Sequence, residues 1–109
     1  MSLPDVIDIK HKAIDVASSG DNTIVAVVSG KRILVTSLLL ISAGTVNTRF
    51  ESGAGGTALT GQMNLIANVG YALNYNEYGW FVTAKDDLLN LELSGAVLVD
   101  GCLSYREID

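Results

Sequence analysis

Apolar residues recur along this chain in segments of about five to ten, separated by clusters of Gly, Ser, Asn and Asp. Val, Ile, Leu and Thr dominate the segments, and short β-branched runs between turn residues read as strands. Residues 6–16 carry Ile7, Ile9, Ile14 and Val16, and residues 18–22 form a turn. Residues 23–28 and 31–42 are strands, the second being the longest, and Ala43-Gly44 ends it. Residues 45–51 place Val46, Thr48 and Phe50 on one face. The stretch 57–67 reads as one or two short strands around Gly61, followed by extended pieces at 71–75, 80–84, 88–93 and 96–108. A helix competes only at 6–17, whose β-branched content favours a strand, and at 59–67. The pattern predicts an all-β, antiparallel β-sandwich, jelly-roll-like, with about eight to ten strands. Residues 13–109 form a single domain, and residues 1–12 are an arm or a first strand.

The longest strand is apolar on both faces. Ile33, Val35, Leu39 and Ile41 alternate with Leu34, Leu38 and Leu40, whereas a sheet with one wet face should alternate apolar with polar. Either the strand is covered by its own sandwich on one side and a loop on the other, or one face meets another subunit. Composition favours the subunit contact. Only 17% of the 109 residues are charged, against 49% hydrophobic, and mean hydropathy is +0.36. Ile33, Val35, Leu38, Leu40 and Ile41 are therefore the candidate interface, and a homo-oligomer is expected.

Seven basic and twelve acidic residues give a net charge of −5. Such a chain repels phosphate backbones and anionic lipid, so no nucleic-acid or membrane partner is expected. One cysteine excludes an intrachain disulfide and a cysteine-based zinc site. The acidic start, with Asp5 and Asp8, does not read as a secretory leader.

Catalytic chemistry finds little support. His11 is the only imidazole and sits between two lysines on an expected exposed strand. Cys102 is expected to be a buried, inert thiol. The acids lie in turns without calcium-loop spacing. The loop 52–57 has three glycines but no following Lys-Ser/Thr, so it reads as a mobile tip and not a phosphate cradle. No catalytic, cofactor-binding or metal-ligating set emerges, and no cofactor is expected. The one concentration of binding-capable side chains is Tyr71, Tyr75, Tyr78, Trp80 and Phe81. It is either a binding platform or a group of core anchors, Trp80 being the strongest anchor candidate.

The second half carries a further signal. Ser52-Gly53, Leu59-Thr60-Gly61-Gln62-Met63 and Leu65 are followed by Gly79-Trp80-Phe81 and Thr83-Ala84. The run 89–97, then Gly101-Cys102-Leu103 and Tyr105-Arg106-Glu107, complete it, with Val35, Ala43-Gly44 and Phe50 upstream. In these residues, and over about residues 15–108, the chain resembles small β-sandwich virion surface proteins of tailed bacteriophages and prophages, similar to capsid decoration proteins. The resemblance implies a non-enzymatic structural protein, a homotrimer on the virion surface, assembled in the bacterial cytoplasm, with the major capsid protein as candidate partner. The alternative is a receptor- or carbohydrate-binding module of a head or tail fibre. The motifs are turn and core residues, so the resemblance supplies no catalytic residue.

Overall fold

The structure is a computed structural model and describes residues 8–109. Ten strands follow one another: β1 (Lys10–Val16), β2 (Gly20–Val25), β3 (Arg32–Ser42), β4 (Val46–Ser52), β5 (Thr57–Ala58), β6 (Met63–Leu65), β7 (Gly70–Leu73), β8 (Phe81–Val82), β9 (Leu89–Leu93) and β10 (Val99–Ile108). They form two antiparallel sheets. The first has the order β1-β10-β3-β7, with β8 also on β3; the second has the order β2-β9-β4-β5, with β6 also on β4. First pairs with last and second with ninth, so the chain winds between the layers as a jelly-roll-like β-sandwich. The described residues contain no helix, so the helical alternatives give way to strand β1 within 8–17 and to bends, strand β6 and a turn within 59–67. Strand β1 crosses position 12, where the sequence suggested a boundary; residues 1–7 of the expected arm lie outside the described residues.

The core fills the space between the sheets. Phe50, Leu89, Leu91 and Leu93 of the second sheet face Ile14, Leu40, Val99 and Leu103 of the first, all buried. Phe50 also packs on Phe81, with ring centroids 5.2 Å apart.

The two-sided apolar strand is resolved by a bulge. Along β10, Ser104 pairs with Ser37 and the next residue, Tyr105, with Val35. Thr36 is therefore an extra residue on β3, and the alternation changes parity there. Ile33 and Val35 point inward before it, and Leu38 and Leu40 point inward after it; all four are buried in the core. These four members of the candidate interface are thus unavailable to another subunit, and only Ile41 of the five is exposed. Hydroxyls line the irregularity: Ser104 Oγ lies 2.7 Å from Thr36 Oγ1 and 2.5 Å from Ser37 Oγ.

The bulge also divides the edge of β3 between two partners. Strand β7 pairs beyond it, at Leu38–Ile41, and β8 before it, at Leu34 and Val35. The loop 74–80 joins them, and its Asn76 and Trp80 amides donate to Thr36 O and Val35 O at 2.9 and 2.8 Å. Gly79, at φ +81°, lies so close to Leu34 that a Cβ there would meet Leu34 Cδ1 at 2.2 Å. Leu34 faces outward and is nonetheless buried. The reading of a strand covered by its own sandwich and by a loop therefore holds for this half of β3.

Two local expectations are corrected. The turn expected at 18–22 begins strand β2 at Gly20, because Asp21 and Asn22 pair with Glu92 and Leu91. The glycine loop is not a free tip: Gly53 N donates to Leu88 O at 2.9 Å, Gly56 N to Gly53 O at 3.1 Å, and Gly55 N to Asp21 Oδ1 at 3.2 Å.

Deleting Thr36 should abolish cooperative folding. Without the extra residue, either Leu38 and Leu40 turn to solvent or β3 slips against β10. The loss of a sigmoidal urea transition, followed by far-UV circular dichroism, checks this; an unchanged midpoint would mean the bulge is dispensable.

Candidate functional site

Three surfaces bear on function. The first is the outer face of the β1-β10-β3-β7 sheet. Alternation from the inward Leu40 and Leu38 places Leu39 and Ile41 outward, and both are exposed. The register sets Ala13, Cys102, Leu39 and Ala72 in one row across four strands. Cys102 is a free, exposed thiol, not a buried one: it occupies an outward position where the sheet has no covering layer among the described residues. His11, on the next row opposite Ser104, is exposed.

The second is a cavity of about 260 Å³ between the sheets, at the edge where β7 and β8 face β6. Leu38, Met63, Tyr71, Leu73, Trp80 and Phe81 contribute to its wall. The structure thus divides the predicted aromatic cluster. Tyr71, Trp80 and Phe81 meet at the cavity, while Tyr75 and Tyr78 stand out from the loop 74–80, Tyr78 at 84% exposure. Trp80 is 47% exposed. Its Nε1 donates to Asn74 O at 2.8 Å, which fixes the indole against the loop instead of burying it as a core anchor. The hydroxyls of Tyr71 and Thr48 are buried without a well-formed hydrogen bond. Burial pushes the Tyr71 phenol up to about 12, with the neighbouring Thr48 side chain opposing.

The third lies on the outer face of the other sheet. Carboxylate oxygens of Asp21, Glu51 and Glu92 come within 4.8 Å of one another. Arg49 stands among them, with Nη2 2.6 Å from Glu51 Oε2 and 3.3 Å from Glu92 Oε1. The Glu51 carboxylate holds the Arg49 guanidinium above its ordinary pKa, despite some desolvation. Asn90 donates to Asp21 Oδ1 and to Glu51 Oε1, each at 2.8 Å. Glu51 and Asn90 are fully buried although they point away from the core. Arg49 and Asn90 thus give the buried Glu51 its partners, as buried polar groups require. The sequence reading missed it; the signal was the alternation Arg49, Glu51 on one strand and Asn90, Glu92 on its neighbour.

Neither His11 nor Cys102 reaches the cavity wall. Among the described residues, no helix is long and apolar enough to cross a membrane.

No protein-family model matches the chain, and no curated protein matches it in sequence. A solved structure does share its architecture. It is described as "Bacillus endospore appendages form a novel family of disulfide-linked pili" and superposes with a TM-score of 0.53 over 94% of this chain and 89% of that one, at 16% identity. The similarity supports the β-sandwich assignment, and at this identity it shows the fold alone.

Tyr71→Phe should leave stability at pH 7 unchanged or raise it, because it removes an unpartnered buried hydroxyl. The folded pKa of Tyr71, about 12, lies above the ordinary 10.0. The folded state therefore favours the neutral phenol, and stability falls as pH rises from 10 through about 12. Two units correspond to at most about 2.7 kcal/mol, and less for a ring partly open to solvent. Urea midpoints measured across pH 9–12 should fall more steeply for the wild type than for Tyr71→Phe; parallel curves would refute the assignment.

Proposed function

We propose that this chain is a non-enzymatic structural module that self-associates and coats a larger protein particle. The observation that carries the reading is the open outer face of the β1-β10-β3-β7 sheet, where Leu39 and Ile41 stand exposed beside Ala13, Cys102 and Ala72. Leu39 and Ile41 are neighbours on one open sheet face, and a contiguous apolar patch, unlike a scattered exposed side chain, favours a surface that meets protein. The resemblance to phage virion surface proteins supplies the particle: a decoration protein would sit on the head, against the major capsid protein, and reinforce the shell. The solved structure of the same fold is described as a pilus protein, which supports an assembly role over an enzymatic one.

A second reading rests on Tyr75, Tyr78 and Trp80, which are exposed together around the loop 74–80. Exposed rings of this kind can stack on sugars, so the alternative is a receptor- or carbohydrate-binding module of a fibre.

Light scattering at micromolar concentration should give a mass above the 11.5 kDa of one chain; a monomer would overturn the assembly reading. Co-sedimentation with expanded phage capsids should be insensitive to free sugars and to Tyr78→Ala. Sugar binding that Tyr78→Ala abolishes would favour the second reading instead.

A further inference from the structure

The outer face of the β1-β10-β3-β7 sheet is polarised along its strands. Asp15 and Asp100 lie directly opposite each other on paired strands. Alternation from Ala13 and Cys102 places both on the outer face, beside Ile41. Like charges directly opposite on a sheet repel, and among the described residues neither aspartate has an ion-pair partner. At the other end of β10, Arg106 is on the same face, level with Leu34. Its Nη1 donates to Glu77 O at 3.3 Å, a backbone contact that leaves its charge unneutralised. Between the acidic and basic ends lie the small side chains Ala13, Cys102, Ala72, Ser37 and Ser104, with Leu39 projecting from them and His11 at the β1 edge of the Ser104 row.

We infer that this face binds a second copy of the chain, sheet against sheet, around a two-fold axis that crosses β10 at the level of Leu103 and runs perpendicular to the strands. The inference deepens the assembly reading and rests on it. Position 103 is midway between 100 and 106, so the axis carries Asp100 of each copy onto the partner's Arg106. The same rotation lays the Cys102 row over the Ser104 row, setting Leu39 of one copy against Ser37 of the other and His11 against Ala13, so that each large side chain meets a small one at the roughly 10 Å spacing of packed sheets. A two-fold axis parallel to the strands would instead set aspartate against aspartate, and the charges select against it. Strands β1, β10, β3 and β7 have 7, 10, 11 and 4 residues, so at about 3.3 Å per residue and about 4.8 Å between strands the face is about 500 Å² in projection, and Gly79 of the loop 74–80 covers its Leu34 end. The contact is therefore smaller than the roughly 800 Å² per partner of a standard interface, and the charges at its ends carry its alignment. An isologous contact of this kind gives an even number of subunits, in place of the trimer that the resemblance implies.

Sedimentation velocity on the full chain tests the inference. Asp100→Arg and Arg106→Asp should each weaken self-association at least about ten-fold, and the double reversal should restore it, because the swapped charges again meet. Leu39→Asp should give a folded monomer. A measurement on the unaltered protein adds an independent readout: Cys102 should react with a bulky thiol reagent more slowly as protein concentration rises. A wild type that stays monomeric would overturn the assembly reading and this inference with it. A wild-type oligomer that is indifferent to Leu39→Asp and to both charge reversals, with Cys102 labelled at one rate throughout, would overturn the proposed face and leave assembly standing through another surface.

Discussion

In β3, Thr36 has no counterpart on β10, and its insertion exchanges the faces of the strand. Before it the odd-numbered residues Ile33 and Val35 enter the core; after it the even-numbered Leu38 and Leu40 do. One long strand can therefore span the whole sandwich while its outer face changes character midway. The carbonyls of Val35 and Thr36 accept from the loop 74–80, so the bulge also fixes where that loop crosses and which part of β3 it covers. Leu34 is sealed under Gly79, whereas Leu39 and Ile41 are left open. Core packing, loop placement and the exposed surface all follow from the same extra residue.

The two outer faces treat charge in opposite ways. On the β2-β9-β4-β5 sheet, Arg49, Asn90 and three carboxylates are closed into a network in which each group has its partner. Gly55 extends it by donating to Asp21, which ties the glycine loop to the sheet. The buried Glu51 carboxylate has the Arg49 guanidinium and the Asn90 amide as its partners, as a buried charge requires. The other sheet keeps Asp15 beside Asp100 and an Arg106 held only by a carbonyl. Electrostatic demand is left over on that face.

Much of the fold was legible because turns and strands are written locally. Gly, Asn and Asp clusters mark nearly every reversal, and the positive φ of Asn68 and Asp86 shows such residues in the backbone state that favours them. The parity change in β3 was not legible, since a bulge is a relation between two strands and Thr36 looks like any other strand residue until β10 is beside it. The expected interface failed for that reason: a pattern read with a strict period of two assigned Leu38 and Leu40 to a face they do not occupy. The aromatic cluster failed differently. Closeness in sequence brought Tyr71 and Trp80 to one cavity wall, but the loop between β7 and β8 carried Tyr75 and Tyr78 out to solvent. Cys102 was expected inside because cysteine usually is, yet alternation from the inward Leu103 already placed it outside.

The charges are unevenly distributed over the two sheets. Of the seven basic and twelve acidic residues, Arg49, Glu51, Glu92 and Asp21 sit in one network on one sheet, and the Cys102 and Ser104 rows of the other sheet's outer face carry none. The outer face of the β1-β10-β3-β7 sheet has Leu39 and Ile41 standing among mostly small residues, with charge confined to its two ends. A sheet surface with an apolar middle and opposite charges at either end is self-complementary only in the antiparallel orientation. Hydrophobic contact through Leu39 and Ile41 carries no polarity of its own. The terminal charges would then set direction and alignment, the role that charged groups most often serve at protein contacts.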